Sequence, residues 1–171
     1  MKKVSVVIPM YYEQEVAEVC YKRVKKVLDE LKEKYEHEII FINDGSKDKT
    51  LDILQDIAKV DKNVKIISFS RNFGHQAAVT AGLKYVTGDA IIIIDADLQD
   101  PPELIPDMIE KWEQGYEVIY GKRKKRNGES AFKLLTAKAF YTTLNKLSDV
   151  DIPGDTGDFR LVDKKVVDVI N

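Results

Sequence analysis

Two acidic side chains follow directly after a wholly apolar segment, residues 90–94. If the chain stays extended beyond this segment, side chains two residues apart project to the same side, so Asp95, Asp97 and Gln99 converge. Such a row of oxygen ligands suits a hard divalent cation such as Mg²⁺, which takes one or two protein carboxylates and completes its shell with water and substrate phosphates. The alternative is a cap for the next helix, but two acids after an apolar strand exceed what a cap needs.

Polar clusters follow three earlier apolar segments in the same way. They lie at residues 11–15, 43–44 and 71–72. In open α/β sheets, ligands bind at the carboxyl ends of the strands. We therefore expect these clusters and the acidic segment to form one site at one edge of a sheet. His75, which comes shortly after the cluster at residues 71–72, either contacts the substrate or only begins the following helix.

The elements that must position these residues can be read from the sequence pattern. Short β-branched segments alternate with amphipathic segments, which is typical of a mostly parallel sheet covered by helices. Because residues 90–94 are apolar on both faces, we place this strand in the centre. Ser46 is predicted to cap the second helix, and the helix after residues 101–102 is predicted to bury a stripe that ends at Trp112. The predicted strands are residues 4–8, 38–42, 64–69, 90–94, 117–121 and 159–162.

The composition limits the class of protein. A chain of 171 residues with 44% hydrophobic residues can bury one sizeable core, which favours a single domain. Its longest apolar stretch, residues 90–94, is far shorter than the roughly 20 residues of a membrane-spanning helix, and residues 4–8 are too short for a signal-peptide core. Cys20 falls on the apolar stripe of a predicted helix and is expected in the core. The net charge of −2 gives no reason to expect nucleic acid as a partner.

The glycine spacing excludes two common phosphate-binding loops. No Gly-x-Gly-x-x-Gly motif follows a predicted strand, and the chain contains no Gly-x-x-x-x-Gly-Lys-Ser/Thr motif. Neither a dinucleotide-binding turn nor a P-loop is therefore expected. A bound phosphate would have to be held through the metal.

Five ordered motifs at the predicted strand ends resemble those of a known family. They are Val7-Ile8-Pro9-Met10-Tyr11-Tyr12-Glu13, Asn43-Asp44-Gly45-Ser46, Ser70-Arg71-Asn72-Phe73-Gly74-His75, Asp95-Ala96-Asp97-Leu98-Gln99-Asp100-Pro101-Pro102-Glu103 and Asp155-Thr156-Gly157-Asp158-Phe159-Arg160. The family is that of the inverting polyprenyl-phosphate glycosyltransferases, which includes dolichol-phosphate mannose synthase and bacterial undecaprenyl-phosphate glucosyltransferases. The resemblance covers essentially the whole chain. It implies an α/β, GT-A (Rossmann-like) fold with a mostly parallel central sheet flanked by helices.

The same resemblance implies which residues bind the sugar donor. The nucleotide-sugar site would be formed by Pro9, Tyr11, Glu13, Asp44, Arg71 and Asp95. Within it, Asp44 would hydrogen-bond the base and Asp95 would face the ribose and the sugar. Asp97 and Gln99 would ligate a divalent cation, Mg²⁺ or Mn²⁺, through which Asp97 takes part in catalysis. One departure is visible, because Tyr12 stands where the family usually carries Asn.

The acceptor side is predicted from a basic run at residues 122–126 and the helix over residues 131–147. Aromatic and aliphatic residues interleaved with lysines describe a segment that can lie at an anionic bilayer surface, although a solvated loop and an ordinary core-facing helix fit the composition too. Asp158 matches the catalytic carboxylate of inverting relatives, the alternative being a loop acid paired with Arg160. The resemblance places the acceptor phosphate on Arg123, Arg126, Ser130 and Lys133.

These patterns together predict a metal-dependent enzyme. The expected reaction is transfer of a hexose from a UDP- or GDP-linked sugar to a polyprenyl phosphate at the cytoplasmic face of a membrane. The chain is expected to be one domain over residues 1–171, soluble by itself and truncated before C-terminal membrane helices. Two alternatives remain at this stage: a soluble glycosyltransferase that acts on a polysaccharide or a protein, and a noncatalytic nucleotide-sugar-binding module.

Overall fold

The computed structural model describes residues 1–122 and 156–170. The chain divides into two compact units, one formed by Met1–Ile119 with Asp158–Asn171 and the other by Tyr120–Gly157. Nearly all of the second unit lies outside the described residues, so the sheet and helices below belong mainly to the first. A single domain over the whole chain stays a prediction.

The first unit is built on a six-stranded sheet with the order β3-β2-β1-β4-β6-β5. Neighbouring strands pair in parallel from β3 through β2 and β1 to β4, whereas β6 runs antiparallel to β4. The predicted mostly parallel sheet with a central fourth strand is therefore confirmed. The strands are β1 (Lys2–Met10), β2 (Tyr35–Asn43), β3 (Val64–Ser68), β4 (Ala90–Ile93), β5 (Val118–Lys122) and β6 (Thr156–Asp163).

Helices cover both faces of this sheet. The buried stripe predicted for the fourth helix, which ends at Trp112, is confirmed. The predicted cap at Ser46 is wrong, because the second helix begins later, at Thr50, and the Ser46 hydroxyl accepts a hydrogen bond from the Tyr12 amide instead. The helices are α1 (Ala17–Glu30), α2 (Thr50–Val60), α3 (His75–Tyr85), α4 (Ile105–Glu113) and α5 (Lys164–Ile170), and a short 3₁₀ turn, Pro102–Leu104, precedes α4.

The core lies in two layers because successive residues of a strand face opposite sides of the sheet. Val6 and Ile8 of β1 pack with α1, α2 and α4, whereas Val7 packs with α3 and α5. Cys20 is fully buried in the first layer, as predicted, and burial raises the pKa of its thiol to about 12. Among the described residues, we find no helix with the length and apolar character needed to cross a bilayer.

Helix α3 lies unusually close to the sheet. A Cβ added at Gly82 would lie 2.4 Å from a methyl carbon of Val7 and 2.9 Å from the Ile42 side chain, closer than real Cβ atoms approach. Only glycine therefore allows this packing distance. The close packing fixes α3, and with it His75 at the start of the helix, beside the carboxyl ends of β1 and β4.

A buried carboxylate holds the opposite edge of the sheet together. Glu38 of β2 is 2% exposed and accepts hydrogen bonds from Ser5 of β1, from the backbone and side chain of Thr87, and from the ammonium groups of Lys3 and Lys65. Burial alone would raise the pKa of Glu38, but these hydrogen bonds outweigh it and hold the pKa at about 2. The ionised carboxylate thus links β1, β2, β3 and the segment before β4.

We predict that Glu38→Gln lowers the free energy of unfolding by about 3 kcal/mol at pH 7, because the neutral amide leaves two lysines without their buried partner. The pKa of Glu38 is lower in the folded state than in the unfolded state. Its contribution is therefore complete above about pH 4.5 and is lost as the pH falls towards about 2. Urea unfolding at a series of pH values measures this dependence. Glu36→Gln, an exposed acid on the same strand, is the control, and a deficit as large at pH 3 as at pH 7 contradicts the prediction.

Candidate functional site

The carboxyl ends of β1, β2, β3 and β4 surround one open cavity of about 300 Å³. Each of these strands, or the segment that directly follows it, contributes polar residues, so the predicted clusters do meet at one sheet edge. The cavity is lined by Pro9, Met10, Tyr11, Glu13, Asp44, Asn72, His75, Ala78, Asp95, Ala96 and Asp97.

The segment after β1 is fastened to the segment after β2. The Tyr12 amide donates to the Ser46 hydroxyl at 3.0 Å, and the Glu13 amide donates to the Thr50 hydroxyl at 2.9 Å. These two bonds set the direction in which Tyr11 and Glu13 leave the strand. Burial, followed by the neighbouring Tyr12 and Asp44, raises the pKa of the Tyr11 hydroxyl above its ordinary value.

Asp44, which comes directly after β2, clamps the loop between β3 and α3. Its carboxylate is 3% exposed and accepts three hydrogen bonds: from the Asn72 side-chain amide at 2.8 Å, the Phe73 backbone amide at 2.7 Å and the Gly74 backbone amide at 3.0 Å. Both carboxylate oxygens take part. The sequence pointed to Asp44 as a base-binding residue, but it gave no sign of this second role, because the partners are about thirty residues away.

The same loop explains why position 45 is glycine, and it shows that Arg71 does not line the cavity. Gly45 has φ +70°, and a Cβ there would lie 2.3 Å from the carbonyl carbon of Arg71, so the position requires glycine. Arg71 itself is exposed, with its guanidinium carbon 4.5 Å from the centre of the Phe73 ring. It was predicted beside the nucleotide, yet its neighbour Asn72 is the residue of this loop that lines the cavity.

The acidic segment after β4 is not extended, so the predicted period-two row of oxygen ligands is wrong. The strand ends at Ile93, residues 96–97 form a turn, and Leu98 has φ +59°. The turn forms because the Asp97 carboxylate accepts a hydrogen bond from the backbone amide of Gln99 at 3.0 Å. This local bond competes with the extended backbone conformation. Asp95 and Asp97 line the cavity, whereas Gln99 is exposed and does not.

Negative charge is concentrated in the cavity. Burial raises the pKa of Glu13, and the charges of Asp97, Asp95 and Asp48 raise it further. Within the described ranges, 1–122 and 156–170, no three His, Cys, Asp or Glu residues are grouped so that they alone could hold a metal ion. Mg²⁺ and similar cations use one or two protein carboxylates with substrate phosphates, so this cluster fits a cation that binds together with a diphosphate.

His75 begins α3 and also lines the cavity, and its contact with a substrate stays a prediction. It follows Gly74, which has φ +95°, and its Nε2 atom lies 3.9 Å from the nearer carboxylate oxygen of Asp95. The side chains are 38% exposed for His75 and 31% exposed for Asp95, and both residues line the cavity. A nitrogen that can donate and a carboxylate that accepts are thus placed side by side for a polar ligand.

The predicted acceptor residues Arg123, Arg126, Ser130 and Lys133 lie outside the described residues. Asp158 belongs to β6 by its backbone, and its side chain is likewise outside them. Their predicted roles remain untested by the structure.

Comparison with known sequences gives matches over nearly the whole chain. The family described as Glycosyl transferase family 2 matches residues 5–170. The chain is 57% identical over 164 residues to the uncharacterized glycosyltransferase YkcC of Bacillus subtilis (strain 168), covering 96% of this chain and 50% of that protein. It is 48% identical to a prophage bactoprenol glucosyl transferase homolog of Escherichia coli (strain K12) and 47% identical to the bactoprenol glucosyl transferase of Shigella phage SfX, in each case over 98% of this chain and 54% of the relative. The chain therefore spans about half the length of these relatives.

Solved structures share the fold at low sequence identity. Glucosyl-3-phosphoglycerate synthase from Mycobacterium tuberculosis, in complex with Mn²⁺, UDP-Glc and phosphoglyceric acid, is 20% identical with a TM-score of 0.68, over 96% of this chain and 58% of that one. The mannosyltransferase PcManGT from Pyrobaculum calidifontis, in complex with GDP-Man and Mn²⁺, is 17% identical with a TM-score of 0.67, over 99% and 47%. The expected GT-A fold is confirmed.

We predict that Asp44→Asn releases the loop between β3 and α3. An amide in place of the carboxylate presents NH₂ to donors and loses charge-assisted bonds, which should lower the free energy of unfolding by about 2 kcal/mol. Hydrogen exchange should speed up selectively at the Phe73 and Gly74 amides. Asp56→Asn, which removes an exposed acid on α2, is the control and should change neither measurement noticeably. If the hydrogen exchange of the Phe73 and Gly74 amides is unchanged in Asp44→Asn, Asp44 does not hold this loop.

Proposed function

Because this chain belongs to glycosyl transferase family 2, we propose that it carries the donor site of a metal-dependent, inverting glycosyltransferase that moves a hexose from a nucleotide diphosphate sugar to a polyprenyl phosphate. The observation that carries the proposal is the cavity at the carboxyl edge of β1–β4, in which Glu13, Asp95 and Asp97 concentrate negative charge beside polar groups. Relatives named as bactoprenol glucosyl transferases favour glucose as the sugar and a polyprenyl phosphate as the acceptor.

The donor half of the cavity is proposed to bind the nucleotide and the sugar. Pro9, Tyr11 and Glu13 form the wall that receives the base and ribose, and Asp95, with His75 beside it, faces the ribose and sugar hydroxyls. Asp44 lines the same cavity. Among its described contacts, one carboxylate oxygen accepts only from the Phe73 amide, so a lone pair is available to a base N–H. Arg71 is exposed in the same loop as Asn72, and we propose that it contacts the nucleotide from there.

Asp97, which lines the cavity, is proposed to hold Mg²⁺ or Mn²⁺ together with Gln99, whose exposed side chain would have to turn towards the cation. The cation would neutralise charge on the diphosphate as it leaves, which is the chemistry such a site supplies. The chain itself supplies the carboxylate of Asp97 at the cavity wall and the turn that holds it, fixed by the Gln99 amide. Solved structures with this fold contain Mn²⁺ together with UDP-Glc or GDP-Man, which supports a divalent cation and either base.

The acceptor chemistry needs little acid–base assistance. A phosphate monoester has a second pKa of roughly 6, so at neutral pH it is largely dianionic and already nucleophilic. The protein must instead bring two anions together and orient them. We assign the acceptor phosphate to Arg123 and Arg126, with Ser130 and Lys133 as neighbours, and the catalytic carboxylate to Asp158, on the resemblance of these positions to the polyprenyl-phosphate enzymes.

Two other functions remain distinguishable by experiment. A soluble glycosyltransferase for a polysaccharide or protein would share the donor cavity and differ at the acceptor. A noncatalytic nucleotide-sugar-binding module would bind the donor without turnover. Donor hydrolysis or transfer in the presence of Mn²⁺, with and without polyprenyl phosphate in micelles, separates the three, because only the proposed enzyme consumes donor in proportion to added lipid phosphate.

We predict that Asp97→Asn preserves the fold and loses metal-dependent binding of a nucleotide diphosphate. Asp97 is exposed at a turn after β4, so its replacement leaves the core intact, while the cation loses a charged ligand. Calorimetric titration of UDP and GDP with and without Mn²⁺ should show at least a tenfold loss of the Mn²⁺-dependent affinity. Asp107→Asn, which replaces an exposed acid on α4, should bind like the unchanged chain. Metal dependence that persists in Asp97→Asn rules out this assignment.

We predict that Arg123→Ala raises the concentration of polyprenyl phosphate needed for half-maximal transfer by at least about tenfold and leaves nucleotide affinity nearly unchanged. A charge-assisted contact to phosphate is worth roughly 1.5–3 kcal/mol, and the lower end of this range corresponds to about a tenfold change. The measurements are donor titration by calorimetry and transfer rates against lipid phosphate. Lys84→Ala, which removes an exposed charge on α3, is the control and should change neither measurement. Weaker donor binding with normal saturation by lipid phosphate would place Arg123 at the other substrate.

A further inference from the structure

Two residues other than glycine have a left-handed backbone in the part of the chain that the structure describes: Tyr12, with φ +57°, and Leu98, with φ +59°. Both adjoin the cavity, because Tyr11, Glu13 and Asp97 line it. Bulky side chains rarely adopt this conformation, since the Cβ atom then crowds the backbone. Such strain persists only where surrounding contacts enforce it, and it concentrates at functional sites.

Side-chain burial accounts for Leu98 but not for Tyr12. The Leu98 side chain is partly buried and packs against the first core layer. The Tyr12 side chain is 49% exposed, so burial gives little compensation for its backbone strain. Its described ring contact is with Tyr11: the two ring centres lie 4.6 Å apart in an edge-to-face arrangement.

The left-handed turn is what brings these two rings together. In an extended segment, consecutive side chains project to opposite sides, so adjacent rings do not touch. The turn at Tyr12 changes the direction in which its side chain projects, so that its ring meets the Tyr11 ring. The hydrogen bond from the Tyr12 backbone amide to the Ser46 hydroxyl holds the turn in place. Tyr11 is itself 46% exposed, so without its neighbour its ring would be free to rotate. The contact therefore restricts a side chain that lines the cavity.

We infer that Tyr12 is a positioning residue for the nucleotide: its strained backbone holds its ring against Tyr11 and fixes the Tyr11 ring in the cavity wall that receives the base and ribose. This inference rests on the proposed function of the cavity. Edge-to-face pairs of aromatic rings contribute stabilisation beyond their buried area, and restricting a contact side chain before the ligand arrives lowers the entropy cost of binding. The backbone strain at Tyr12 thus destabilises the free chain, while the ring contact that it permits orders the binding surface.

The test is a variant in which we expect thermal stability to rise and nucleotide affinity to fall. Asn adopts the left-handed region more readily than Tyr, so Tyr12→Asn should raise the melting temperature by about 2 °C. The same variant removes the ring that restrains Tyr11, so its Kd for UDP or GDP with Mn²⁺ should rise about fivefold. Tyr12→Phe keeps the ring and removes only the hydroxyl that interacts with Tyr11, so it should retain most of the nucleotide affinity and melt close to the unchanged chain. Tyr116→Asn, at an exposed tyrosine outside this cavity, is the control and should not alter nucleotide binding.

The outcomes separate this inference from the proposed function. If Tyr12→Asn binds nucleotide as tightly as the unchanged chain, Tyr12 does not position Tyr11 and the inference is wrong. A melting temperature and an affinity that fall together indicate a general structural role and also overturn it, as does a loss in Tyr12→Phe equal to that in Tyr12→Asn. If the unchanged chain binds neither UDP nor GDP with Mn²⁺, the proposed function itself fails and the inference fails with it.

Discussion

The buried carboxylate of Asp44 is the interaction on which the candidate site depends. Three N–H groups from one loop converge on it, and little solvent competes for them, because Asp44 is only 3% exposed. These bonds fix Asn72 in the cavity wall and set the path of the chain into α3. Because α3 begins at His75, the position of that side chain beside Asp95 follows from the same clamp.

One buried acid lies within β2 and another directly after it, and the two have different tasks. Glu38 meets two lysines and two hydroxyl groups, so its charge is fully compensated and serves the fold. Asp44 meets neutral N–H groups, so its charge remains part of the field in the cavity. Together with Glu13, Asp95 and Asp97 it gives the cavity a negative field. This field is the physical reason for proposing that a diphosphate binds here together with a metal ion.

The sequence predicted more of the fold than of the detailed site. Strands were located correctly because β-branched runs mark them, although β1 and β2 extend further than their apolar residues alone, from Lys2 and Tyr35. The polar clusters meet at one sheet edge, as predicted, because parallel connectivity brings carboxyl ends together. The geometry after β4 was not predicted, because the Gln99 amide bonds to Asp97 and turns the chain where extended backbone was expected. The cap assigned to Ser46 failed for a related reason, since its hydroxyl bonds across to Tyr12.

The sequence by itself determined the features that depend on local pattern and connectivity. They are the α/β class, the central apolar strand, the position of Cys20 in the core and the gathering of polar segments at one edge of the sheet. Five ordered motifs also indicated the family. The tertiary structure alone decided which donors reach which acceptors. Asp44 is paired with residues 72–74, Ser46 with Tyr12, and Gly45 with the backbone of Arg71, over separations of about thirty residues. A hydrogen bond depends on angstrom distances between such segments, and those distances exist only once the sheet has assembled and α3 has packed against it through Gly82.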